Sequence, residues 1–513
     1  MLPDEHYIIH KNDAYSYIYS CTCPDYSNNL NSCKQIHTIG QGKCGVAVIR
    51  VSGSSAREAL KLVLNSDTLP KPRTAVLKHI KHPTTKETLD KGLVLWFPGP
   101  KSFTGEDSFE LQVHGGLAVV NGILNALGSI PQVRLAEPGE FTRRAFFNAK
   151  LDLTEVEGLA DLLQAETEIQ RRQAFLQTEG SLSKLYNRWK GKLTNSLAHL
   201  EAHIDFEETE TLEHNIIQTV TKNVEVLAKE IDEHLTDGRK GEILRSGVKT
   251  VILGEPNVGK SSLLNLLCQR PAAIVTPIEG TTRDVLEVTL NIAGYPLVLA
   301  DTAGLNVTTK DVVEKEGIQR ALKMYGKSNL VILVIDSGKY AKATEQNMST
   351  DFDNYIKKYI EKLKIPDLMN TSEDDRTISF NKHCIVVLNK SDMLGREFEI
   401  DEERFVKMSC RTEEGVPNLI NRLTEKLKIL CGEPSEEHPS MNQIRHRQHL
   451  TDCLHCLQIF LDKINLEFQN ESHDLVLMAE YLRKSLRHLG KLTGNVTTDH
   501  LLDVIFKDFC IGK

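Results

Sequence analysis

Hydrophobic positions change their spacing several times along the chain. From Gly45 to about Lys150, short β-branched stretches such as "GVAVIRVSG", "GLVLWF" and "FELQVHGG" alternate with Gly, Pro and polar turns, which predicts an α+β domain. From Leu151 the texture changes. "LDLTEVEGLADLLQAETEIQRRQAFLQTEGSLSKLYNRWKGKLTNSLAHLEAHIDF" lacks proline and repeats its apolar residues every three or four positions, so long amphipathic helices are predicted. Around Ser246 the pattern becomes one of buried strands, "VKTVILG", "YPLVLAD", "NLVILVID" and "HCIVVLN", each followed by a loop and helical sequence. Near-continuous apolar strands alternating with helices predict a parallel sheet covered on both faces. After Pro434 helical periodicity returns, through "QIRHRQHLTDCLHCLQIFLDKINLEF". The simplest architecture is a helical domain with an α/β domain inserted into it.

Bulk composition narrows this picture without changing it. At 513 residues the chain exceeds one core, and about two to four domains are expected. With 40% hydrophobic and 26% charged residues and no apolar run long enough to span a bilayer, membrane insertion is not expected. A net charge of -8 gives no global attraction to nucleic acid. RNA would have to be held by local patches such as Arg143-Arg144 or Arg171-Arg172, and such pairs on helices are usually solvated faces. Eleven cysteines without framework spacing fit free thiols in a reducing compartment. Cys21, Cys23, Cys33 and Cys44 lack the paired spacing of a zinc knuckle, and Cys453 and Cys456 fall on the apolar side of a predicted helix, where core packing is expected. The first 38 residues contain acidic groups and no Arg, so neither a presequence nor a secretory signal is visible.

The chemistry is concentrated in the α/β region. "GEPNVGKS", Gly254 to Ser261, follows an apolar strand and precedes the helical "SLLNLLC". Its glycines let backbone N–H groups close around phosphates, Lys260 reaches the terminal phosphates, and the Ser261 hydroxyl suits Mg²⁺. Asp301 in "DTAGL" is placed to hold Mg²⁺ through water, and Thr282 in "EGTTRD" is the candidate hydroxyl for the metal and the γ-phosphate. In "NKSD", the Asp392 carboxylate can accept two hydrogen bonds from the N–H edge of guanine, so GTP is preferred over ATP. "SCRTEEG", from Ser409, supplies the backbone contact to the base. Leu305 occupies the place where Ras-like proteins keep a water-orienting glutamine, and Glu314 in "DVVEKEG" is the candidate to do that work.

These motifs, with "GKCGVAVIRVSG", "SFTGEDSFELQVHGG", "EPGEFTRRAFFNAKLDLTEVEGLADLL", "HIDFEE" and the terminal "FCIGK", resemble the MnmE (TrmE) tRNA-modification GTPases over roughly Gly40 to Lys513. The resemblance implies a multidomain α+β fold: an N-terminal α+β folate-binding domain, a discontinuous helical domain and an inserted Ras-like α/β P-loop GTPase domain. The corresponding boundaries are 39–149 for the folate-binding and dimerisation domain, 150–245 and 434–513 for the helical domain, and 246–433 for the G domain. Residues 1–38 are an unmatched extension without a good counterpart of the family's first strand, which points to a true start or first exon different from this one. Residues 337–382 read as a polar, lysine-rich insertion forming a surface excursion. That expansion leans toward a mitochondrial, matrix-located member.

By the same resemblance, GTP is held by Asn257, Val258, Gly259, Lys260, Ser261 and Ser262, by Thr276, Thr281 and Thr282, and by Asp301, Thr302, Ala303 and Gly304. The base end adds Asn389, Lys390, Asp392, Ser409, Cys410 and Arg411. Mg²⁺ falls to Ser261 and Thr282; K⁺, doing the work of an arginine finger, falls to Asn257, Thr276, Ile278 and Thr281. Glu314 lies where the family's water-orienting glutamate lies. Arg50, Glu110, Lys150 and Lys513 are carried to a pocket for a 5-formyl- or methylene-tetrahydrofolate; without the resemblance, Glu110 reads as an exposed strand residue. Cys510 is the family's functional cysteine. The last four residues mimic a prenylation box, but Lys513 is not an accepted final residue. The implied protein is a homodimeric GTPase that acts with an FAD-dependent MnmG-type partner on the wobble uridine of tRNA, the amine donor being glycine or taurine. The rival readings are a GTP-switched RNA or ribosome assembly factor, and a folate-dependent methyl-transfer enzyme with an accessory G domain.

Overall fold

The computed structural model describes residues 10–11, 15–20, 44–205, 210–237, 239–269, 273–274, 287–300, 324–346, 352–369, 379–380, 383–394, 404–437, 439–467 and 475–494. The chain divides into two compact units, Met1–Ala160 with Gln177–Leu197 and Leu482–Lys513, and Asp161–Leu176 with Ala198–Tyr481. The secondary structure is a mixture of helices and two sheets. Among the described residues no helix is long and apolar enough to cross a membrane.

The first unit contains β1 (His10–Lys11), β2 (Tyr15–Ser20), β3 (Cys44–Ser52), β4 (Val76–Lys81), β5 (Thr88–Phe97), β6 (Ser108–Gly115) and β7 (Val133–Leu135). They run in the order β1-β2-β3-β6-β5-β4, with β7 parallel to β2 and the other pairs antiparallel. Helices Ala56–Leu64 and Leu117–Gly128 cover one face, where Leu60, Val63, Ile123 and Leu127 meet Ile49, Val51, Phe109 and Leu111. Strand alternation sends Arg50, Ser52, Ser108 and Glu110 to the other face. Strand β2 is a departure from the sequence reading, which assigned no element to residues 1–38. It pairs with β3 from Tyr17↔Ser52 to Ser20↔Ile49, so the nine-residue β3 has hydrogen-bonded neighbours on both sides. The Tyr/Ser/Ile alternation of "YSYIYS" carries the period of a strand.

In the second unit the strands are β8 (Val248–Leu253), β9 (Ala273–Ile274), β10 (Glu287–Ile292), β11 (Tyr295–Ala300), β12 (Leu330–Asp336), β13 (His383–Asn389) and β14 (Phe405–Lys407). Their order is β14-β13-β12-β8-β11-β10-β9, parallel from β14 to β11 and antiparallel beyond. The expected parallel sheet therefore carries an antiparallel edge, made by a hairpin whose turn residues Ala293 and Gly294 both have positive φ (50° and 90°). Successive residues of β8, β12 and β13 alternate between two apolar layers. One packs on helices Lys260–Cys268 and Val416–Cys431 through Leu263, Leu267, Leu419, Leu423 and Leu427. Helices Glu210–Asp237 and Ile444–Glu467 pack along one another in the same unit. Cys453 is fully buried in the latter helix, in keeping with its apolar spacing.

The second layer corrects the reading of residues 337–382. Far from a surface excursion, the described part of this segment forms helices Ser337–Gln346 and Phe352–Lys362, and Ile356, Tyr359, Ile360, Ile365 and Leu368 are buried against Val251, Leu333, Ile335, Val386 and Leu388. The physical reason is the crossover between parallel strands β12 and β13, which must cover an apolar sheet face. Ile356, Tyr359, Ile360 and Leu363 have the spacing of an amphipathic helix, masked in composition by the surrounding lysines. Ile360→Ala is accordingly expected to cost about 2–4 kcal/mol of stability, as a buried large-to-small change does. Urea unfolding of the full chain checks this; no change would mean that the segment is not part of the core.

Candidate functional site

The phosphate loop leaves β8 at Gly254 and enters the helix Lys260–Cys268. A Cβ on Gly254 would lie 2.4 Å from the Val334 carbonyl oxygen, and one on Gly259 would lie 2.1 Å from Asn389 Nδ2. Gly259 also has φ +100°, and Asn257 sits in the left-handed region at φ 63°. The turn thus delivers the first N–H groups of a helix, which have no intrahelical acceptors, to the open side of the loop. Val258 is buried beneath it, while Asn257, Ser261 and Ser262 are exposed. Lys260 Nζ donates to the carbonyls of Gly254 (2.8 Å) and Glu255 (2.7 Å).

The "NKSD" sequence, Asn389 to Asp392, is joined to this loop. Asn389, only 2% exposed, donates from Nδ2 to the Val258 carbonyl at 2.8 Å and accepts the Cys410 N–H on Oδ1 at 3.1 Å. Lys390 donates to the Asn257 carbonyl at 2.7 Å and pairs with Asp336 at 2.7 Å. The Asp336 carboxyl lies below the usual carboxylate range: burial raises it, but the bonds from Lys390 and from the Gly338 and Lys339 amides outweigh that. The Asp392 side chain accepts a 2.7 Å bond from Ser409 and remains exposed, available to a ligand. Ser409 Oγ in turn accepts the Arg411 and Thr412 amides at 3.2 and 3.3 Å. Phosphate loop, Asn389–Asp392 and Ser409–Arg411 therefore form one connected surface. Thr276, Ile278, Thr281, Thr282, Asp301, Thr302, Ala303, Gly304, Leu305, Glu314, Cys510 and Lys513 lie outside the described residues.

In the first unit, Arg50 and Glu110 face each other across β3 and β6 and form a buried ion pair, Nε to Oε1 at 3.0 Å. Glu110 is 6% exposed, which corrects its reading as an exposed strand residue. Burial pushes its carboxyl up to about 7, with Arg50 opposing the shift. Lys150 is exposed, and its ammonium lies 3.4 Å from the Pro100 carbonyl.

Beside the pair runs a network absent from the sequence reading. Ser52 bonds to Thr104 at 2.7 Å and accepts from Ser108 at 3.0 Å. Arg144 meets Glu106 at 2.7 Å and Glu140 at 3.5 Å, and Arg134 holds Glu140 with both terminal nitrogens. Burial raises the Glu106 carboxyl to about 8; the hydrogen bond from the Ser52 hydroxyl opposes this, and the Glu140 charge adds to it. Arg144 is thus an internal partner and not a solvated basic patch; Arg171, in contrast, is exposed and pairs with Glu168 at 2.7 Å. The available signal was the alternation placing Arg50 with Ser52, and Ser108 with Glu110, on one sheet face.

Residues 36–150 match the family model "GTP-binding protein TrmE N-terminus", and residues 153–510 match the "MnmE helical domain". The 5-taurinomethyluridine-[tRNA] synthase subunit GTPB3, mitochondrial, of Danio rerio is 47% identical, with 92% of each chain covered. Its Homo sapiens counterpart is 44% identical with the same coverage. The tRNA modification GTPase MnmE of Rickettsia bellii is 39% identical over 92% of this chain and 98% of its own. Among solved structures, the G domain of the T. maritima FeoB iron transporter is 24% identical over 35% of this chain and 98% of its own, at a TM-score of 0.21, too low to bear on the fold.

Proposed function

The chain belongs to the MnmE (TrmE) family of tRNA-modification GTPases, and on that premise we propose that it hydrolyses GTP to GDP and phosphate in the modification of the tRNA wobble uridine. It does so with an FAD-dependent MnmG-type partner in the mitochondrial matrix, yielding a 5-aminomethyl-type uridine in mitochondrial tRNAs. The names of the fish and human relatives favour the taurinomethyl product over the carboxymethylaminomethyl one. The observation that carries this reading is identity of 47% across 92% of both chains, together with a phosphate loop bonded to its guanine-recognition sequence through Asn389 and Lys390. Cells lacking the protein are expected to lose the wobble-uridine modification. Mass spectrometry of their mitochondrial tRNA checks this, and an unchanged modification would favour the assembly-factor reading.

In this proposal the helical domain is discontinuous and the G domain is inserted into it, a reading supported by the packing of helices Glu210–Asp237 and Ile444–Glu467 from either side of the second sheet. The protein works as a homodimer. Exposed Ser261, in the first turn of its helix, suits Mg²⁺ with Thr282, and the metal would neutralise phosphate charge. The exposed Asn257 suits K⁺, together with Thr276, Ile278 and Thr281, and Glu314 orients the attacking water in place of a glutamine at Leu305. GTP hydrolysis is expected to run faster in potassium than in sodium at equal ionic strength. Equal rates would remove the monovalent ion from the mechanism.

The Arg50–Glu110 pair, with Lys150 and Lys513, is proposed to hold a tetrahydrofolate derivative, and Cys510 to take part in the modification reaction. A buried carboxylate suits the amino edge of a pterin, which offers N–H donors. Only the ionised carboxyl accepts both, and its pKa is raised to about 7. Affinity for 5-formyl-tetrahydrofolate should therefore fall as pH drops below 7, approaching about tenfold per unit, and Glu110→Gln should abolish that slope. A flat profile for the unaltered chain, measured calorimetrically from pH 8 to 6, would exclude Glu110 as the acceptor.

A further inference from the structure

The helices between β12 and β13 do more than cover the sheet. Glu255, the second residue of the phosphate loop, is 9% exposed, and its carboxylate is held by Lys339 at 2.7 Å and by Lys362 at 2.6 Å. Its backbone N–H donates to the Tyr359 hydroxyl at 2.8 Å, which itself donates to the Val334 carbonyl at 2.8 Å. Lys339 comes from the Ser337–Gln346 helix, and Tyr359 and Lys362 from the Phe352–Lys362 helix. The peptide unit joining Gly254 to Glu255 is thus fixed at both ends, its N–H by Tyr359 and its carbonyl by Lys260 Nζ at 2.8 Å.

We propose that this crossover segment positions the phosphate loop: Tyr359 sets the Gly254–Glu255 peptide and through it the Lys260 ammonium, while Lys339 and Lys362 anchor the loop by Glu255. Tyr359 is a positioning residue, since it reaches the phosphates only through Lys260 and the loop amides. The proposal rests on the GTPase reading. It also gives the segment a role distinct from core packing, because the Tyr359 hydroxyl is not needed to fill the apolar layer beneath it. Two features set the strength of each contact. The tyrosine, 5% exposed, forms buried hydrogen bonds, whereas the lysine side chains are 55% and 69% exposed and their ion pairs are weakened by water and salt.

The test is binding of GDP to the full chain, with GTPase kinetics and thermal unfolding measured on the same preparations. Tyr359→Phe keeps the ring and removes both hydroxyl bonds; it is expected to weaken GDP binding about tenfold and raise KM for GTP alike, with kcat within about threefold. Replacing Lys339 and Lys362 together by Met should weaken binding about threefold at low salt, an effect that shrinks as salt rises. Arg at both positions should restore affinity. A Tyr359→Phe chain with lowered melting temperature but unchanged GDP affinity and KM would overturn the proposal, leaving the segment a purely structural role. Failure of the unaltered chain to bind GDP at all would instead overturn the GTPase reading, and the positioning role with it.

Discussion

The parallel register of β12 between β8 and β13 is the constraint on which the nucleotide surface depends. Leu333 pairs with Leu253 and Asp336 with Asn389, so three strands finish along one edge of the sheet. Gly254, Asp336 and Asn389 then emerge within side-chain reach of one another, although 135 residues separate the first from the last. Ligands of open α/β sheets bind at the carboxyl ends of the strands, where the loops that leave them share one small space. Asn389 and Lys390 take hold of the Val258 and Asn257 carbonyls, and the loop conformation becomes a property of the sheet rather than of the glycine-rich segment alone.

The antiparallel sheet of the first unit solves a different problem. One face packs a continuous apolar core, and the opposite face carries charge in a buried setting. Such charges persist only when each finds a partner, and here they do: Arg50 with Glu110, Arg144 with Glu106 and Glu140, and Arg134 with Glu140. Removing one member would leave another charge buried and unpaired. The polar face is therefore a set of mutually dependent contacts.

Legibility in the sequence differed with the range of the interaction involved. The glycines and Lys260, the Asn389–Asp392 run and the strand-before-motif context are local, and each was readable where it stands. Period-two alternation also contained the polar face of β3 and β6, yet Glu110 by itself looked exposed, because nothing local indicates which element covers a strand. The crossover after β12 was misjudged for a related cause. Its lysine-rich composition suggests solvent, while the spacing of Ile356, Tyr359, Ile360 and Leu363 describes an apolar stripe, of which the first three are buried and Leu363 is partly buried.

What the sequence alone determined is the chemistry: a guanine nucleotide, a phosphate loop, and membership of a family with motifs distributed over nearly the whole chain. Tertiary structure alone decided which groups meet. The pairings of Glu255 with Lys339 and Lys362, of Tyr359 with the Gly254–Glu255 peptide, and of Arg144 with Glu106 join residues dozens of positions apart. Local propensity and periodicity act over a few residues, whereas such contacts are set by strand register and by the direction in which a crossover helix returns.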